Sequence, residues 1–242
     1  MSQQYSDQVK VILLDIEGTT TPVDYVFEVL FPFAKAQVES FLQTHLEDEG
    51  VKADLERLRQ EYESDIALGA SVPEWQENSM IAAVAYIHHL IAIDRKSTGL
   101  KSLQGKIWEQ GYQDGTLRSQ VFDDVNRAFV RWRNAGKQIF IFSSGSVQAQ
   151  KLLFKYTDVG DLTEFLSGYF DTEIGSKKEP DSYRKIAEAI GVVSNHILFI
   201  SDVTDELQAA QNAGMKTLFS LRPKNRSSDS EGFPLCQDFD KV

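Results

Sequence analysis

The sequence predicts an α/β protein in which helices cover both faces of a parallel sheet and an all-helical segment is inserted after the first strand. Five short stretches have the apolar character of buried strands, and three of them are almost continuous apolar runs. Such runs are typical of parallel strands that are covered on both faces. Helical patterns alternate with the later strands, which is the order of right-handed βαβ units in an open sheet.

The predicted strands are Val9–Asp15, Lys137–Ser144, Gly168–Ile174, His196–Asp202 and Met215–Leu221. Helical spacing follows the second, third and fourth of them, in the stretches VQAQKLLFKYTD, DSYRKIAEAIG and TDELQAAQNAG. The last two of these stretches end in Gly191 and Gly214, and glycine favours the left-handed conformation in which helices commonly end. The sequence therefore predicts three helices, each leading from one strand to the next.

The segment 24–124 contains no convincing strand and is predicted to be a helical insert. Apolar residues recur in it at three- and four-residue spacing, as in Val51, Leu55, Leu58, Tyr62 and Ile66. A helix over Val121–Gly136 then leads back to the sheet. The predicted domains are thus a core made of 1–23 and 125–242, and an insert made of 24–124.

Composition limits the classes of function. Twenty-five Lys and Arg against 36 Asp and Glu give a net charge of −11, which argues against nucleic acid or an anionic membrane as the main partner. No apolar run reaches the ~18 residues of a membrane span, and the start MSQQYSDQVK lacks the apolar region of a secretory signal. With Cys236 as the single cysteine, we expect a soluble cytoplasmic protein. The polar segment Arg222–Gly232 is expected to be a solvated tail.

Chemically useful side chains follow the predicted strands. Asp15 ends the first strand, Ser143 and Ser144 end the second, Lys177 follows the third, and Asp202 ends the fourth. Because the carboxyl ends of parallel strands meet at one edge of the sheet, where open α/β sheets bind ligands, we expect these groups to converge.

This set of groups suits phosphoryl transfer through a covalent intermediate. A carboxylate can attack phosphorus and hold the phosphoryl group as an acyl phosphate, and Asp15 is placed to do so. Because a carboxylate and a phosphate dianion repel each other, a cation is needed, and Mg²⁺ on Asp15 and Asp202 would supply it. Ser143, with backbone N–H groups at the start of the next helix, would bind phosphate oxygens, and Lys177 would neutralise their charge.

Glu17 lies two residues beyond Asp15, where one carboxyl can protonate a leaving alkoxide and then activate water. Gly18, which follows, lets the chain turn sharply away from the strand. The carboxylates at the end of this strand are therefore interpreted as catalytic.

Several of these residues also have an ordinary structural interpretation. Asp202 can cap the helix that it precedes, the serines at Ser143–Ser144 can simply form a turn, and Lys177 can be a solvated loop lysine, as Lys178 is expected to be. Glu206 is favoured in the first turn of its helix by the helix dipole, although its place four residues after Asp202 also suits support of the metal.

The motifs DIEGTT, FSSGS, GSK and SDVTDE, in this order and spacing, resemble those of the haloacid dehalogenase superfamily of aspartate-nucleophile phosphatases. The longer phrases LLDIEGTTTPVDYV, FSSGSVQAQ and LFISDVTDE are similar to one branch, the enolase-phosphatases (acireductone synthases) of methionine salvage. The superfamily usually has D-x-D in its first motif, whereas this chain has D-x-E. The side chain of Glu17 is one methylene longer than that of an aspartate. Its carboxyl group therefore cannot take the position of an aspartate carboxyl without a shift of the backbone.

The resemblance implies a Rossmann-like core with a helical cap that closes over the substrate, a bound Mg²⁺ and a monomer. It implies that the substrate is 2,3-diketo-5-methylthiopentyl-1-phosphate, which is enolised and then dephosphorylated to an acireductone. The implied roles are nucleophile and Mg²⁺ ligand for Asp15, acid/base and backbone metal ligand for Glu17, Mg²⁺ ligand for Asp202, and substrate binding for Ser143, Ser144 and Lys177.

Three other functions remain open on the sequence. The first is another phosphatase or phosphomutase of the same superfamily, with a different cap. The second is a non-catalytic binding protein that uses the acidic surface, and the third is carbon–halogen hydrolysis by the same aspartate without a metal. The sequence also leaves three candidates for the base that performs enolisation, namely a residue of the insert, Glu17 and Lys177.

Overall fold

The computed structural model describes residues 8–75, 80–93, 95, 97–225 and 227–242. Within these residues, six strands form one parallel sheet in the order β3-β2-β1-β4-β5-β6. The strands are β1 Val11–Leu14, β2 Gln138–Phe142, β3 Gly168–Phe170, β4 Ile197–Ser201, β5 Lys216–Ser220 and β6 Leu235–Cys236. The sequence-based prediction of a parallel α/β sheet is therefore confirmed. The five predicted strands are all present but shorter, β3 at its carboxyl end and the others at both ends, and the two-residue β6 was not predicted.

Strand β1 lies in the middle of the sheet and is buried on both faces. Its side chains alternate, so that Ile12 and Leu14 pack in one apolar cluster and Val11 and Leu13 in the other. This double burial explains the continuous apolar run in the sequence. Strands β2 and β3 lie on one side of β1 in the sheet, and strands β4 and β5 lie on the other side. The reversal of strand order beside β1 creates a crevice at the carboxyl ends of the strands.

Eight α-helices are described: α1 Phe31–His45, α2 Glu49–Ala67, α3 Met80–Ala92, α4 Thr98–Gln113, α5 Asp123–Asn134, α6 Val147–Lys155, α7 Pro180–Ile190 and α8 Thr204–Asn212. Helices α6, α7 and α8 are the three that the sequence predicts between strands. Helix α7 ends as expected, since Gly191 has φ +74° and its N–H bonds to the last turn.

The chain forms two compact units. One comprises the chain up to Val26 together with Arg118–Val242, and contains the sheet with α5–α8. The other is Phe27–Leu117 and contains α1–α4. The predicted junctions at 23/24 and 124/125 differ from these, because residues 24–26 and 118–124 belong to the unit with the sheet. Residues 1–7 belong to the start that lacks the apolar region of a secretory signal, and they lie outside the described residues. Within the described part of the chain, no helix combines the length and apolarity needed to cross a membrane.

The segment after β5 is a solvated tail only in part: most of its described residues from 223 to 232 are exposed, as the sequence predicts, but Arg222 is not. The guanidinium of Arg222 is buried and makes a two-bond ion pair with Asp124, with both N···O distances at 2.9 Å. Its Nε also donates to the carbonyl oxygen of Thr19, in the loop after β1, at 3.2 Å. The rings of Phe122 and Phe239 lie 4.6 and 4.4 Å from the guanidinium. Arg222 thus links the loop after β1 to the start of α5 and to the C-terminal segment.

Replacing Arg222 with methionine is expected to lower the free energy of unfolding by about 3–5 kcal/mol, because the carboxylate of Asp124 stays buried without its cation. Chemical denaturation measures this change. The matched control is Arg127→Met, which removes an exposed pair with Asp240 and should leave the free energy of unfolding nearly unchanged. Equal losses of unfolding free energy in the two variants would show that the buried pair of Arg222 and Asp124 stabilises the protein no more than the exposed pair does.

Candidate functional site

The residues that follow β1, β2 and β4 lie along one edge of the sheet. Asp15 directly follows β1, and its N–H donates to the carbonyl oxygen of Ile200 in β4 at 3.0 Å. Ser143 directly follows β2, and its N–H donates to the carbonyl oxygen of Phe170 in β3 at 3.2 Å. These hydrogen bonds continue the pairing of the strands by one residue. Asp15 and Ser143 therefore lie at the same edge of the sheet.

Lys177 joins two carboxylates at the centre of this edge. Its Nζ lies 2.6 Å from Oδ1 of Asp15 and 2.6 Å from Oε2 of Glu206, and all three side chains are about nine-tenths buried. Ser201, the last residue of β4, donates to Oε2 of Glu206 at 2.9 Å and lies 3.4 Å from Oδ2 of Asp15. Tyr183 fixes the loop, because its hydroxyl donates to the carbonyl oxygen of Lys177 at 2.7 Å. The arrangement holds an ammonium group directly beside the candidate nucleophile.

Negative charge exceeds positive charge in this cluster. Burial disfavours the ammonium of Lys177, but the carboxylates of Asp15 and Glu206 outweigh burial and raise its pKa above the ordinary value. The pKa of Asp202 is raised to about 7, first by burial and then by the charges of Asp15, Glu206 and Glu17. The pKa of Glu206 is also raised to about 7, because burial outweighs the opposing effect of Lys177. One lysine therefore does not neutralise the carboxylates that meet here.

The loop after β1 is a tight turn that requires glycine. Gly18 has φ +68°, and a Cβ atom at this position would lie 2.4 Å from Oδ2 of Asp202. The N–H of Gly18 donates to the carbonyl oxygen of Thr21 at 2.8 Å, and Glu17 pairs with Thr21 in a single parallel bridge. Glu17 is half-buried at the turn, two residues beyond Asp15. The turn therefore lets Asp202 approach the backbone that carries Asp15 and Glu17.

The loop after β2 carries the two predicted substrate-binding serines and leads directly into α6. Ser143 is buried, and its Oγ accepts a hydrogen bond from the N–H of Gly145 at 3.2 Å. Ser144 is exposed, and Ser146 caps α6 by accepting from the N–H of Ala149 at 3.2 Å. The start of α6 therefore lies directly after the two predicted substrate-binding serines, where backbone N–H groups favour negative charge.

Sequence reasoning missed Gln150, in the first turns of α6. It is buried, and its amide nitrogen donates to the carbonyl oxygens of Gly145 at 2.8 Å and Phe170 at 2.9 Å. These two bonds tie the loop after β2 to the end of β3. A buried glutamine on a short amphipathic helix is the signal that would have identified it, since a buried amide needs partners.

The donor set fits Mg²⁺. Among the described residues, no three His, Cys, Asp or Glu side chains form a preformed metal cage. Mg²⁺ does not need one, since it commonly binds through one or two carboxylates, retains several waters and takes phosphate oxygens from the substrate. Asp15 and Asp202 would supply the carboxylates and Glu17 a backbone carbonyl. Burial and the neighbouring carboxylates raise the pKa of Asp202, and a divalent cation bound here would offset the charge of those carboxylates.

Comparisons with known proteins identify the family to which the chain belongs. Residues 9–214 match the family of haloacid dehalogenase-like hydrolases. The chain is 54% identical over 234 residues to an enolase-phosphatase E1 of Synechococcus elongatus, and the match covers 97% of this chain and 98% of the relative. It is 41% identical over 235 residues to an enolase-phosphatase E1 of Xenopus tropicalis, which covers 94% and 91% of the two chains. A relative in Vitis vinifera, 42% identical over 242 residues, is named "Probable bifunctional methylthioribulose-1-phosphate dehydratase/enolase-phosphatase E1 1", and the match covers 96% of this chain and 47% of that protein.

Solved structures support the same fold. The UTR4 protein of Saccharomyces cerevisiae superposes with a TM-score of 0.81 at 32% identity, covering 97% of this chain and 100% of that one. The CbbY protein of Rhodobacter sphaeroides, solved in complex with phosphate, superposes with a TM-score of 0.59 at 15% identity, covering 96% of each chain. The second likeness concerns the fold alone.

Proposed function

The chain belongs to the enolase-phosphatase E1 group of the haloacid dehalogenase-like hydrolases, and from that membership we propose its reaction in methionine salvage. It converts 2,3-diketo-5-methylthiopentyl-1-phosphate to the acireductone 1,2-dihydroxy-3-keto-5-methylthiopentene and phosphate. The single structural observation that carries the proposal is the 2.6 Å contact between Lys177 and Asp15 at the end of β1, since it suits attack of a carboxylate on a phosphate ester.

In the phosphatase step, a carboxylate oxygen of Asp15 attacks phosphorus and forms an acyl phosphate. The ester P–O bond breaks, and the leaving oxygen takes the proton of the Glu17 carboxyl group. Water then attacks the phosphorus of the acyl phosphate, and the Glu17 carboxylate accepts its proton, which restores both side chains. Lys177 holds the carboxylate of Asp15 and offsets the charge of the phosphoryl oxygens.

Binding of the phosphate involves the loop after β2. The hydroxyls of Ser143 and Ser144 donate hydrogen bonds to the phosphoryl oxygens. Mg²⁺, held by Asp15, Asp202 and the backbone carbonyl of Glu17, would supply the positive charge that the carboxylates need to accept a phosphate dianion.

The enolisation step needs a base beside the substrate carbonyl. Lys177 is a poor base, because its ammonium is held between Asp15 and Glu206 and its pKa is raised. Glu17 or a residue of the helical unit Phe27–Leu117 is then the base. The proposal also includes a monomeric enzyme, a cytoplasmic location that suits its free Cys236, and a cap role for the helical unit.

The name of the grape relative supports the substrate. Dehydration of a methylthioribulose phosphate removes one water from a keto sugar phosphate and leaves a diketone phosphate of the proposed kind. A chain that joins the two activities would make this substrate in one half and consume it in the other. The match with this chain covers 47% of that protein.

The proposed function is tested by following the absorbance of the acireductone and the release of phosphate from the diketone phosphate, with and without Mg²⁺. Both signals are expected to rise together, and chelation of Mg²⁺ should abolish phosphate release. A parallel panel contains sugar phosphates and a 2-haloacid. Turnover of a sugar phosphate with an inert diketone would favour another phosphatase, metal-independent halide release would favour a dehalogenase, and no turnover of any compound would favour a binding protein.

A further inference from the structure

Asn225, in the segment after β5, reaches back to the loop that carries the proposed nucleophile. Its Nδ2 donates to the carbonyl oxygen of Gly18 at 3.0 Å and to the carbonyl oxygen of Ser220 at 2.9 Å. A side-chain amide has two N–H donors, and both are used here. The orientation of the amide is therefore fixed, because the reverse orientation would place its oxygen against two carbonyl oxygens.

This orientation directs the other end of the amide towards Asp202. Oδ1 of Asn225 is buried and accepts no hydrogen bond from any residue that the structure describes. A Cβ atom built on Gly18 would lie 2.8 Å from this oxygen and 2.4 Å from Oδ2 of Asp202. The two oxygens therefore lie on the same side of Gly18, and both are acceptors.

A buried acceptor is costly unless a donor reaches it. Mg²⁺ retains several waters when it binds to proteins, and a water on a cation held by Asp202 would bring an O–H donor to this side of Gly18. We propose that Asn225 is a further residue of the cation site, whose Oδ1 accepts a hydrogen bond from a water on that cation. The inference rests on the proposed function, because it takes the cation on Asp202 from it.

The test measures binding of Mg²⁺ to the free protein by calorimetry, with no substrate present. Asn225→Ala is expected to weaken Mg²⁺ binding by about tenfold, the scale on which outer partners of metal sites act. The matched control is Ser220→Ala. The Oγ of Ser220 donates to the same carbonyl oxygen of Gly18 at 3.0 Å, so this variant loosens the turn without removing Oδ1, and its affinity should stay within about twofold of the wild type.

Circular dichroism without Mg²⁺ checks that each protein is folded, and Asn225→Ser is used if the alanine variant is not. Equal losses in Asn225→Ala and Ser220→Ala, or an unchanged affinity in Asn225→Ala, would overturn the role of Asn225 and leave the proposed function intact. A wild-type protein that does not bind Mg²⁺ would overturn both the proposed cation and this role.

Discussion

Replacement of Asp15 by asparagine is expected to lower kcat for phosphate release by at least about 10⁴-fold, the scale on which removal of a nucleophile acts. The amide keeps the size of the side chain but cannot form the acyl phosphate. A second readout is specific to the covalent step. Rapid quenching of the wild type during turnover should give a phosphorylated peptide that contains Asp15, and the variant should give none.

The matched control for this experiment is Asp205→Asn. Asp205 is exposed and pairs only with the exposed Lys178, at 2.7 Å, among the contacts described, so its kcat should stay within about twofold of the wild type. Circular dichroism confirms that both variants are folded. Retention of full activity by Asp15→Asn would remove Asp15 as the nucleophile, and loss of activity in both variants would indicate a general effect of charge.

The sequence was informative about the site because parallel strands impose a simple rule. Once β1, β2 and β4 are recognised, their carboxyl ends must share one edge, and the residues directly after them are brought together without knowledge of loop structure. Asp15 and Lys177 are separated by 162 residues along the chain and lie 2.6 Å apart. For Asp15, Ser143 and Asp202 the prediction depended only on strand direction, which a continuous apolar run and a following helix reveal. Lys177 lies in the loop between β3 and α7, so the strand order predicted its side of the sheet but not its contact with Asp15.

The sequence was less informative where one residue type serves two purposes. An acid in the first turn of a helix, such as Glu206, is favoured by the dipole whatever else it contacts, so its contact with Lys177 could not be derived. Polar residues after β5 suggested a solvated tail, but Arg222 and Asn225 are anchored by backbone carbonyls of distant loops. Backbone acceptors leave no pattern in side-chain chemistry, and strand β6 is too short to show periodicity.

Replacing Lys177 with methionine tests the second element of the site. Its kcat for phosphate release is expected to fall by about 10²–10³-fold, because a cation preorganised beside the reacting group is lost. Lys178→Met is the matched control, since the neighbouring lysine is exposed and pairs with Asp205. It should retain kcat within about twofold and keep nearly the stability of the wild type. Comparable losses of kcat in the two variants would show that catalysis does not depend on the position of Lys177 between Asp15 and Glu206.

The stability of Lys177→Met without Mg²⁺ should also depend on pH in a definite direction. The pKa of Glu206 is already raised to about 7 by burial, and removal of the ammonium raises it further. A carboxyl group whose folded pKa exceeds its unfolded pKa binds more protons in the folded state, so the free energy of unfolding falls as pH rises between the two values. The deficit of the variant relative to the wild type should therefore be small near pH 5 and grow towards pH 8. Denaturation at several pH values measures it, and a deficit independent of pH would show that lost packing of the lysine stem, rather than the uncompensated carboxylates, destabilises the variant.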